Sequence, residues 1–126
     1  MTDVEIVTEI YAAMAARDFG KALDLIDDTC VITQDGRLPW GGRYVGKAGF
    51  GEMGGRLTGS ITSSVTTDAL FEADGDVIQF GRSRGTVIAN GAAFDIPEVH
   101  RWTVRNGKAV AAHFAIDTPA ILLALG

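Results

Sequence analysis

One segment of the sequence places two groups capable of proton transfer on the same side of a strand. Glu98 and His100 alternate with bulky apolar residues in the run Phe94-Asp-Ile-Pro-Glu-Val-His-Arg-Trp102. Side chains two residues apart on a strand point to the same face, so both groups should share an apolar face. An imidazole can act as acid or base near neutral pH. We therefore predict His100 as the acid–base group of a pocket, positioned by Glu98; the alternative is a histidine that only lines the pocket.

Other residues complete the predicted pocket. Gln34 can hold a substrate carbonyl or hydroxyl, although a buried amide bonded to the backbone is the alternative. Asp35 is interpreted as a turn residue and Cys30 as a small core residue. We predict a set of large apolar side chains as the wall of the pocket, with plain core packing as the alternative: Trp40, Tyr44, Phe50, Met53, Trp102 and Phe114.

Length, charge and composition exclude several classes of protein. The 126 residues are enough for one domain, residues 1–126, but not for two cores. A net charge of −5 argues against a nucleic-acid partner, and we expect Arg82 and Arg84 to pair with surface acids. One cysteine and two histidines do not form a metal site, and no phosphate-binding loop is present. We predict a cytoplasmic protein with no cofactor, no membrane segment and no signal peptide.

The first half of the chain reads as three helices and a short strand. Apolar residues at three- and four-residue steps predict a helix over residues 4–17. Asp18 then starts a shorter helix with Phe19 inward, and Asp27 and Asp28 end it. A short strand covers residues 30–34. After a glycine-rich loop, a third helix spans about residues 47–57; its glycines weaken it, so packing must hold it, and it is interpreted as a pliable lid.

The second half reads as a four-stranded antiparallel meander over residues 61–73, 77–89, 92–105 and 108–116. Asn90-Gly91 and Asn106-Gly107 are hairpin signals. A two-residue turn at the first sets His100 opposite Gly81, whereas Pro97 indicates a bulge or an edge position.

The last hairpin is compatible with two registers. A two-residue turn pairs His100 with His113. A three-residue loop with a bulge pairs His100 with Ala112 and turns His113 outward. We prefer the second register, because it keeps Val110, Ala112, Phe114 and Ile116 together on the inner face.

These elements predict an α+β fold. Helices and meander do not alternate as a doubly wound sheet requires. We therefore expect a strongly curved, antiparallel sheet rolled into a cone. Three helices from the N-terminal half cover its concave face, and a short helix from residue 120 to 125 follows. The uncovered convex face carries Ile78, Phe80, Val99 and Thr103, which predicts a homodimer through this face.

The order of elements and three motifs resemble the SnoaL-like group of the nuclear transport factor 2-like superfamily, which is related to ketosteroid isomerase. The motifs are Leu38-Pro-Trp-Gly-Gly-Arg-Tyr-Val-Gly46, Gly107-Lys108 and Asp117-Thr-Pro-Ala-Ile-Leu122. The resemblance covers nearly the whole chain and implies a cone-shaped fold with a pocket. The fold hosts isomerases, cyclases, epoxide hydrolases and non-catalytic binders, so it does not fix an activity.

The acid–base set of ketosteroid isomerase is not found at the matching positions. Its tyrosine on the first helix, its aspartate base and its second oxyanion donor match Ile10, Gln34 and Val99. Tyr11 is one residue from the first position. One residue is about 100° around a helix, so we do not expect Tyr11 to take that role.

The Asp-Arg-Asp set of limonene epoxide hydrolase is missing as well, because Glu98, His100 and Phe114 occupy its positions. The interpretation is a protein that binds a small apolar, carbonyl-bearing or cyclic compound. It would catalyse isomerisation, cyclisation or hydration with His100. The alternative is a non-catalytic carrier or sensor, or a dimerisation module.

Overall fold

Four helices and six strands make up the chain, and the computed structural model describes all residues from Met1 to Gly126. The helices are α1 (Asp3–Ala15), α2 (Phe19–Asp24), α3 (Gly46–Ser60) and α4 (Thr118–Leu125). The strands are β1 (Ile26–Gln34), β2 (Gly42–Val45), β3 (Ile61–Ala73), β4 (Asp76–Val87), β5 (Ala93–Arg105) and β6 (Lys108–Ile116). The α+β class and the four long strands of the second half are confirmed.

All six strands form one sheet in the order β2-β1-β6-β5-β4-β3. Strands β3 to β6 are the predicted antiparallel meander. Strand β1 joins β6 in parallel, and β2 pairs antiparallel with β1. The sequence did not predict β2, because glycines surround its four residues; pairing with β1 stabilises a segment that composition alone reads as a loop.

Local capping fixes the first two helices. Thr2 and Glu5 form a reciprocal capping box at the start of α1, and the Asp18 side chain caps α2. The predicted end of α2 was wrong, since Asp27 and Asp28 lie in β1. The prediction that Phe19 points inward was wrong, since its side chain is 50% exposed. Ala22 is the one buried residue of this short helix.

Helix α3 is held by packing rather than by its composition. Gly51, Gly55 and Gly59 lie four residues apart on its exposed side, and a Cβ atom at any of them would meet no atom within 4 Å. Gly49 differs, because its Cβ would lie 3.0 Å from the Cβ of Tyr44. Gly49 therefore has a packing reason to lack a side chain, as does Gly46 at the start of the helix, where a Cβ would lie 2.5 Å from the Asp28 carbonyl oxygen.

Pro97 lies in β5 without a bulge. Its pairing with Arg82 belongs to an uninterrupted β4–β5 ladder. The β5–β6 ladder begins at the next residue, Glu98, and the carbonyl of Pro97 accepts a hydrogen bond from Asp117 just beyond β6. The nitrogen of Pro97, which has no hydrogen, thus lies on the side of β5 where no strand accepts a hydrogen bond from this position. The predicted bulge at Pro97 was therefore wrong, and Pro97 instead occupies a local edge position of β5.

Both hairpin registers differ from the predicted ones. Between β4 and β5 a hydrogen bond from Val87 N–H to the Ala92 carbonyl closes a turn of four residues, 88–91. His100 therefore lies opposite Gln79 rather than Gly81. In the last hairpin His100 lies opposite Phe114. A two-residue turn joins β5 to β6, and the ladder then shifts by one residue between Thr103 and Val104. Neither predicted pairing combined this turn with this shift.

The faces of these strands are as predicted except at Val110: the irregularity lies at this residue, and the buried Ala109 takes the inward place opposite Val104 instead. Ala112, Phe114 and Ile116 lie level with Trp102, His100 and Glu98, whereas His113 lies opposite Arg101 on the other face. An error of two residues in the register leaves each side chain on the same face of the sheet. An error of one residue reverses the face, and a one-residue irregularity in the ladder reverses it back.

The inner face of the sheet, defined by Trp102, His100 and Glu98, is covered by α1 and α3. Helix α1 contacts β3 to β6, and α3 contacts β1 and β2. The outer face has no helix over it, and Phe80 and Val99 on it are 45% and 41% exposed. As expected, Arg82 and Arg84 pair with a surface acid, Asp95. None of the four helices has the length and apolar character needed to cross a bilayer.

The outer edge of the sheet is strand β3, which has a neighbour on one side only. Its ladder with β4 is interrupted between Thr67 and Ala69. Asp68, the extra residue at this bulge, is exposed.

Candidate functional site

Strand β5 delivers three polar side chains into an otherwise apolar interior. Glu98, His100 and Trp102 are 4%, 7% and 1% exposed, as the alternation of β5 dictates. Phe114 of β6 packs against this row, with its ring centroid 4.7 Å from that of His100 and 5.4 Å from that of Trp102. The predicted common face of these residues is confirmed.

Tyr11 of α1 connects two of these side chains. The Trp102 Nε1–H donates to the Tyr11 hydroxyl oxygen at 2.9 Å, and that oxygen lies 2.6 Å from His100 Nδ1. Burial raises the pKa of Tyr11, so its hydroxyl keeps its proton. The hydroxyl therefore donates to Nδ1, and the neutral imidazole carries its own hydrogen on Nε2.

Glu98 lies on the other side of the imidazole. His100 Nε2 is 3.2 Å from Glu98 Oε2, and the same oxygen accepts a hydrogen bond of 2.9 Å from Gln79 Nε2. Gln79 is fully buried on β4 and also donates to Thr67 Oγ1 at 3.3 Å. Trp102, Tyr11, His100, Glu98 and Gln79 thus form one continuous polar cluster, called the inner polar cluster below.

Burial moves the two central pKa values in opposite directions. Desolvation disfavours the charged form of each group, so it raises the pKa of Glu98 to about 7 and lowers the pKa of His100 to about 3. The hydrogen bond from Gln79 opposes the rise at Glu98 but does not cancel it. Near neutral pH the imidazole is therefore uncharged, and the carboxyl group is the member of the pair that exchanges a proton.

Gly81 provides the room for the Gln79 side chain. Gly81 lies opposite Glu98 on β4, and a Cβ atom there would come within 2.5 Å of Gln79 Nε2 and 2.2 Å of the Thr66 carbonyl oxygen. The inner polar cluster therefore depends on a position without a side chain two residues from Gln79.

The other predicted site residues lie further from Glu98. Gln34 is buried on β1, one strand beyond Phe114, and its amide bonds to neither His100 nor Glu98. Of the predicted wall, only Trp102 and Phe114 are shown in contact with His100 or its neighbours. All six members lie in the hydrophobic core or pack against it: Trp40, Tyr44, Phe50, Met53, Trp102 and Phe114. Asp35 accepts from the backbone of Arg37 in a loop, and Cys30 is fully buried.

Sequence reasoning missed two members of the cluster. Tyr11 was not expected to take the role of the isomerase tyrosine, because it lies one residue from the matching position on α1, yet its hydroxyl reaches His100. Gln79 gave one usable signal: it is a lone amide on the inward positions of β4, between Val77 and Gly81. Its partner Glu98 became identifiable only with the observed register.

Two open grooves lie apart from the cluster. One of about 220 Å³ lies on the outer face along Thr33, Thr103 and His113, and another of about 390 Å³ runs from His113 to Pro119. His113 Nδ1 is 2.7 Å from Thr33 Oγ1. Neither groove is lined by a member of the inner polar cluster. No group of three or more His, Cys, Asp or Glu side chains could hold a metal ion.

Comparison with known proteins identifies relatives of this architecture. The model of the SnoaL-like domain matches residues 7–112. No curated protein matches the chain. An NTF2-like protein of Burkholderia thailandensis is 27% identical with a TM-score of 0.94, over 100% of this chain and 98% of that one.

Two other solved structures have small molecules in their descriptions. TerC, co-crystallised with polyporic acid, is 24% identical with a TM-score of 0.89, over 98% of this chain and 97% of that one. A protein of ketosteroid isomerase-like fold from Catenulispora acidiphila, in complex with trimethylamine, is 17% identical with a TM-score of 0.78, over 99% and 95%. Both show a likeness of fold.

Proposed function

The chain belongs to the SnoaL-like domain family, and we propose that it binds a small apolar molecule on the inner face of its sheet and exchanges a proton with it through Glu98. The observation that carries this proposal is the inner polar cluster. His100 and Gln79 contact one carboxyl group whose pKa is raised to about 7, and Tyr11 and Trp102 hold His100 in place. A carboxyl group with a pKa near the working pH is suited to both accept and return a proton.

The proposal gives Glu98 and His100 different roles from the ones that sequence suggested. His100 Nδ1 is occupied by the Tyr11 hydroxyl, and Nε2 carries a hydrogen, so the imidazole has no free lone pair to act as a base. Glu98 Oε2 faces His100 and Gln79, which leaves Oε1 without a protein donor. Glu98 Oε1 is the proposed proton-exchanging atom, and His100 is a positioning residue.

The chemistry would be a proton shift. Glu98 Oε1 removes a proton from the carbon next to a ligand carbonyl, the electron pair moves onto the carbonyl oxygen as an enolate, and Glu98 returns the proton to the same or a conjugated carbon. Gln34 has an amide free of protein partners on the inner face and would donate to that oxygen. The reaction is then an isomerisation, with no oxidant or co-reactant required.

Deuterium exchange tests this function without a known substrate. The wild-type protein and Glu98→Gln are incubated in D2O with 2-cyclohexen-1-one or 3-methyl-2-cyclohexen-1-one, and deuterium next to the carbonyl is followed by proton NMR. We expect incorporation above the buffer rate with the wild type and at the buffer rate with E98Q, since an amide cannot accept the proton. Equal rates for the two proteins would refute the proposal.

A non-catalytic carrier or sensor is the second candidate. It is favoured by the near-complete burial of the cluster and by relatives whose structures contain small molecules: polyporic acid in TerC and trimethylamine in the Catenulispora protein. A carrier would bind cyclohexenones, seen as shifts of inner-face amide signals, without speeding deuterium exchange. The two readouts separate the candidates.

We also propose that two copies associate through the outer face. Phe71 and Phe80 stack edge to face there at 5.3 Å, next to Val99, and all three are exposed. Val99→Asp places a charge in this patch, and Leu123→Asp on α4, where the leucine is 84% exposed, is the control. Sedimentation should show a dimer for the wild type and L123D and a monomer for V99D; a wild-type monomer at micromolar concentration would refute the dimer.

A further inference from the structure

One buried atom of the inner polar cluster has no hydrogen-bond partner. Gln79 Oε1 is the only buried side-chain oxygen or nitrogen of the chain in this situation. A buried acceptor left unpaired costs free energy, and native proteins keep few of them. Reversing the amide does not remove the problem, because Oε1 would then face the Glu98 oxygen that Nε2 now contacts at 2.9 Å.

Most polar hydrogens of the inner polar cluster already form a hydrogen bond to another side chain. Trp102 and Tyr11 each give theirs to the next member, and Gln79 gives its two to Glu98 and Thr67. The remaining N–H, on His100 Nε2, lies 3.2 Å from Glu98 Oε2. Glu98 Oε1 and Gln79 Oε1 are left, and both are acceptors on adjacent strands.

We propose that Glu98 and Gln79 form a donor-seeking subsite, which takes a molecule carrying a hydroxyl or protonated amine on an apolar body. The O–H of such a molecule would donate to one of the two oxygens, and a protonated amine would have a hydrogen for each. The rings of Phe114 and Trp102, which pack beside the neighbouring His100, would contact the apolar body. An ether or a bare hydrocarbon of the same shape leaves both oxygens unpaired. The inference rests on the proposed inner-face site and deepens it, because it adds a hydroxyl or amine to the features of the ligands that this site favours; the cyclohexenones, which carry neither group, test the proton shift alone.

The subsite is also expected to change with pH. Once Glu98 takes up a proton, Oε1 is the oxygen free to carry it, since Oε2 faces the hydrogens of His100 and Gln79. The cluster then offers a donor as well. Around Glu98 the only ionisable neighbours in contact are His100 and, beyond it, Tyr11, both uncharged near neutral pH. Preference for a hydroxyl should therefore be strongest on the alkaline side.

Phenol and anisole are the probes, because they differ in the single donor hydrogen and one methyl group. Binding of each to the wild-type protein is followed at pH 8.5 by shifts of 15N-labelled backbone and glutamine side-chain signals. We expect phenol to bind at least about tenfold more tightly than anisole, as one hydrogen bond to a charged acceptor gives. Toluene serves as the apolar control and should resemble anisole.

Gln79→Met keeps the length of the side chain but removes the amide, so the Oε1 acceptor is lost together with the N–H donors to Glu98 and Thr67; it should reduce the phenol preference several-fold. The wild-type comparison needs no variant, so an unfolded Q79M would not remove the test. Anisole binding as tightly as phenol, or no phenol binding at millimolar concentration, would overturn the subsite. Deuterium exchange by E98Q is measured separately, so failure of the proton shift would leave the phenol preference intact, and the reverse.

Discussion

Replacing the exposed glycines of α3 by alanine should stabilise the protein strongly. Gly51, Gly55 and Gly59 lie along the exposed side of the helix, and an added Cβ at any of them would meet nothing within 4 Å. Alanine restricts the unfolded chain and favours a helix by roughly 0.5–1 kcal/mol per exposed glycine. None of the three has a positive φ, so alanine fits the native backbone.

The size of the effect follows from additivity. Three such positions on one helix should add about 1.5–3 kcal/mol to the free energy of unfolding. A chain of 126 residues shifts its Tm by roughly 4 °C per kcal/mol. The triple variant should therefore melt about 6–12 °C above the wild type by circular dichroism.

Gly49→Ala is the matched control in the same helix. It gains the same helix propensity, but its Cβ would lie 3.0 Å from the Cβ and 3.1 Å from the carbonyl carbon of Tyr44. We expect its Tm to equal or fall below that of the wild type. A triple variant no more stable than the wild type would refute the reasoning about open space. Stabilisation by G49A equal to that at an exposed position would refute the reasoning about packing.

Three further substitutions test the inner polar cluster. Because burial raises the pKa of Glu98 from 4.5 to about 7, the folded protein holds a proton that the unfolded chain has already lost between these values, and its stability falls with rising pH. The wild type should thus lose stability relative to E98Q between pH 4.5 and 7.5 in urea denaturation, whereas a constant difference would contradict the raised pKa. Tyr11→Phe leaves Nδ1 of His100 and the indole N–H unpaired and should cost about 1–3 kcal/mol in the same assay, with no loss counting against the hydrogen-bond chain. Gly81→Ala should destabilise the fold by more than Gly36→Ala, since only the first adds a Cβ within 2.2 Å of a carbonyl oxygen; equal effects would place the Gln79 side chain elsewhere.

Sequence predicted faces better than registers. The alternation of Phe94, Ile96, Glu98, His100 and Trp102 identified the inner face of β5 correctly, because a strand has a side-chain period of two. Which residue lies opposite depends on the length of the turn and on irregularities in the ladder. The turn at 88–91 involves four residues, which an Asn-Gly pair does not reveal.

For the same reason, the sequence predicted only part of the candidate site. Glu98 and His100 are two residues apart in the chain, so one local pattern contains both. Tyr11 and Gln79 reach them from α1 and from β4, across separations of 89 and 19 residues. Contacts of this kind depend on how elements pack, and a single sequence carries little trace of them. Strand β2 was not predicted for a related reason, since its pairing with β1 determines its conformation.

The bulge at Asp68 affects whether the protein aggregates at high concentration. Strand β3 is 13 residues long and open along one side, which is the arrangement that lets sheets of neighbouring molecules join edge to edge. An incoming strand can continue the ladder only as far as the bulge, where an exposed carboxylate and a local twist interrupt it. The irregularity thus protects the protein against fibrous aggregation at the one long edge that no other element covers by strand pairing.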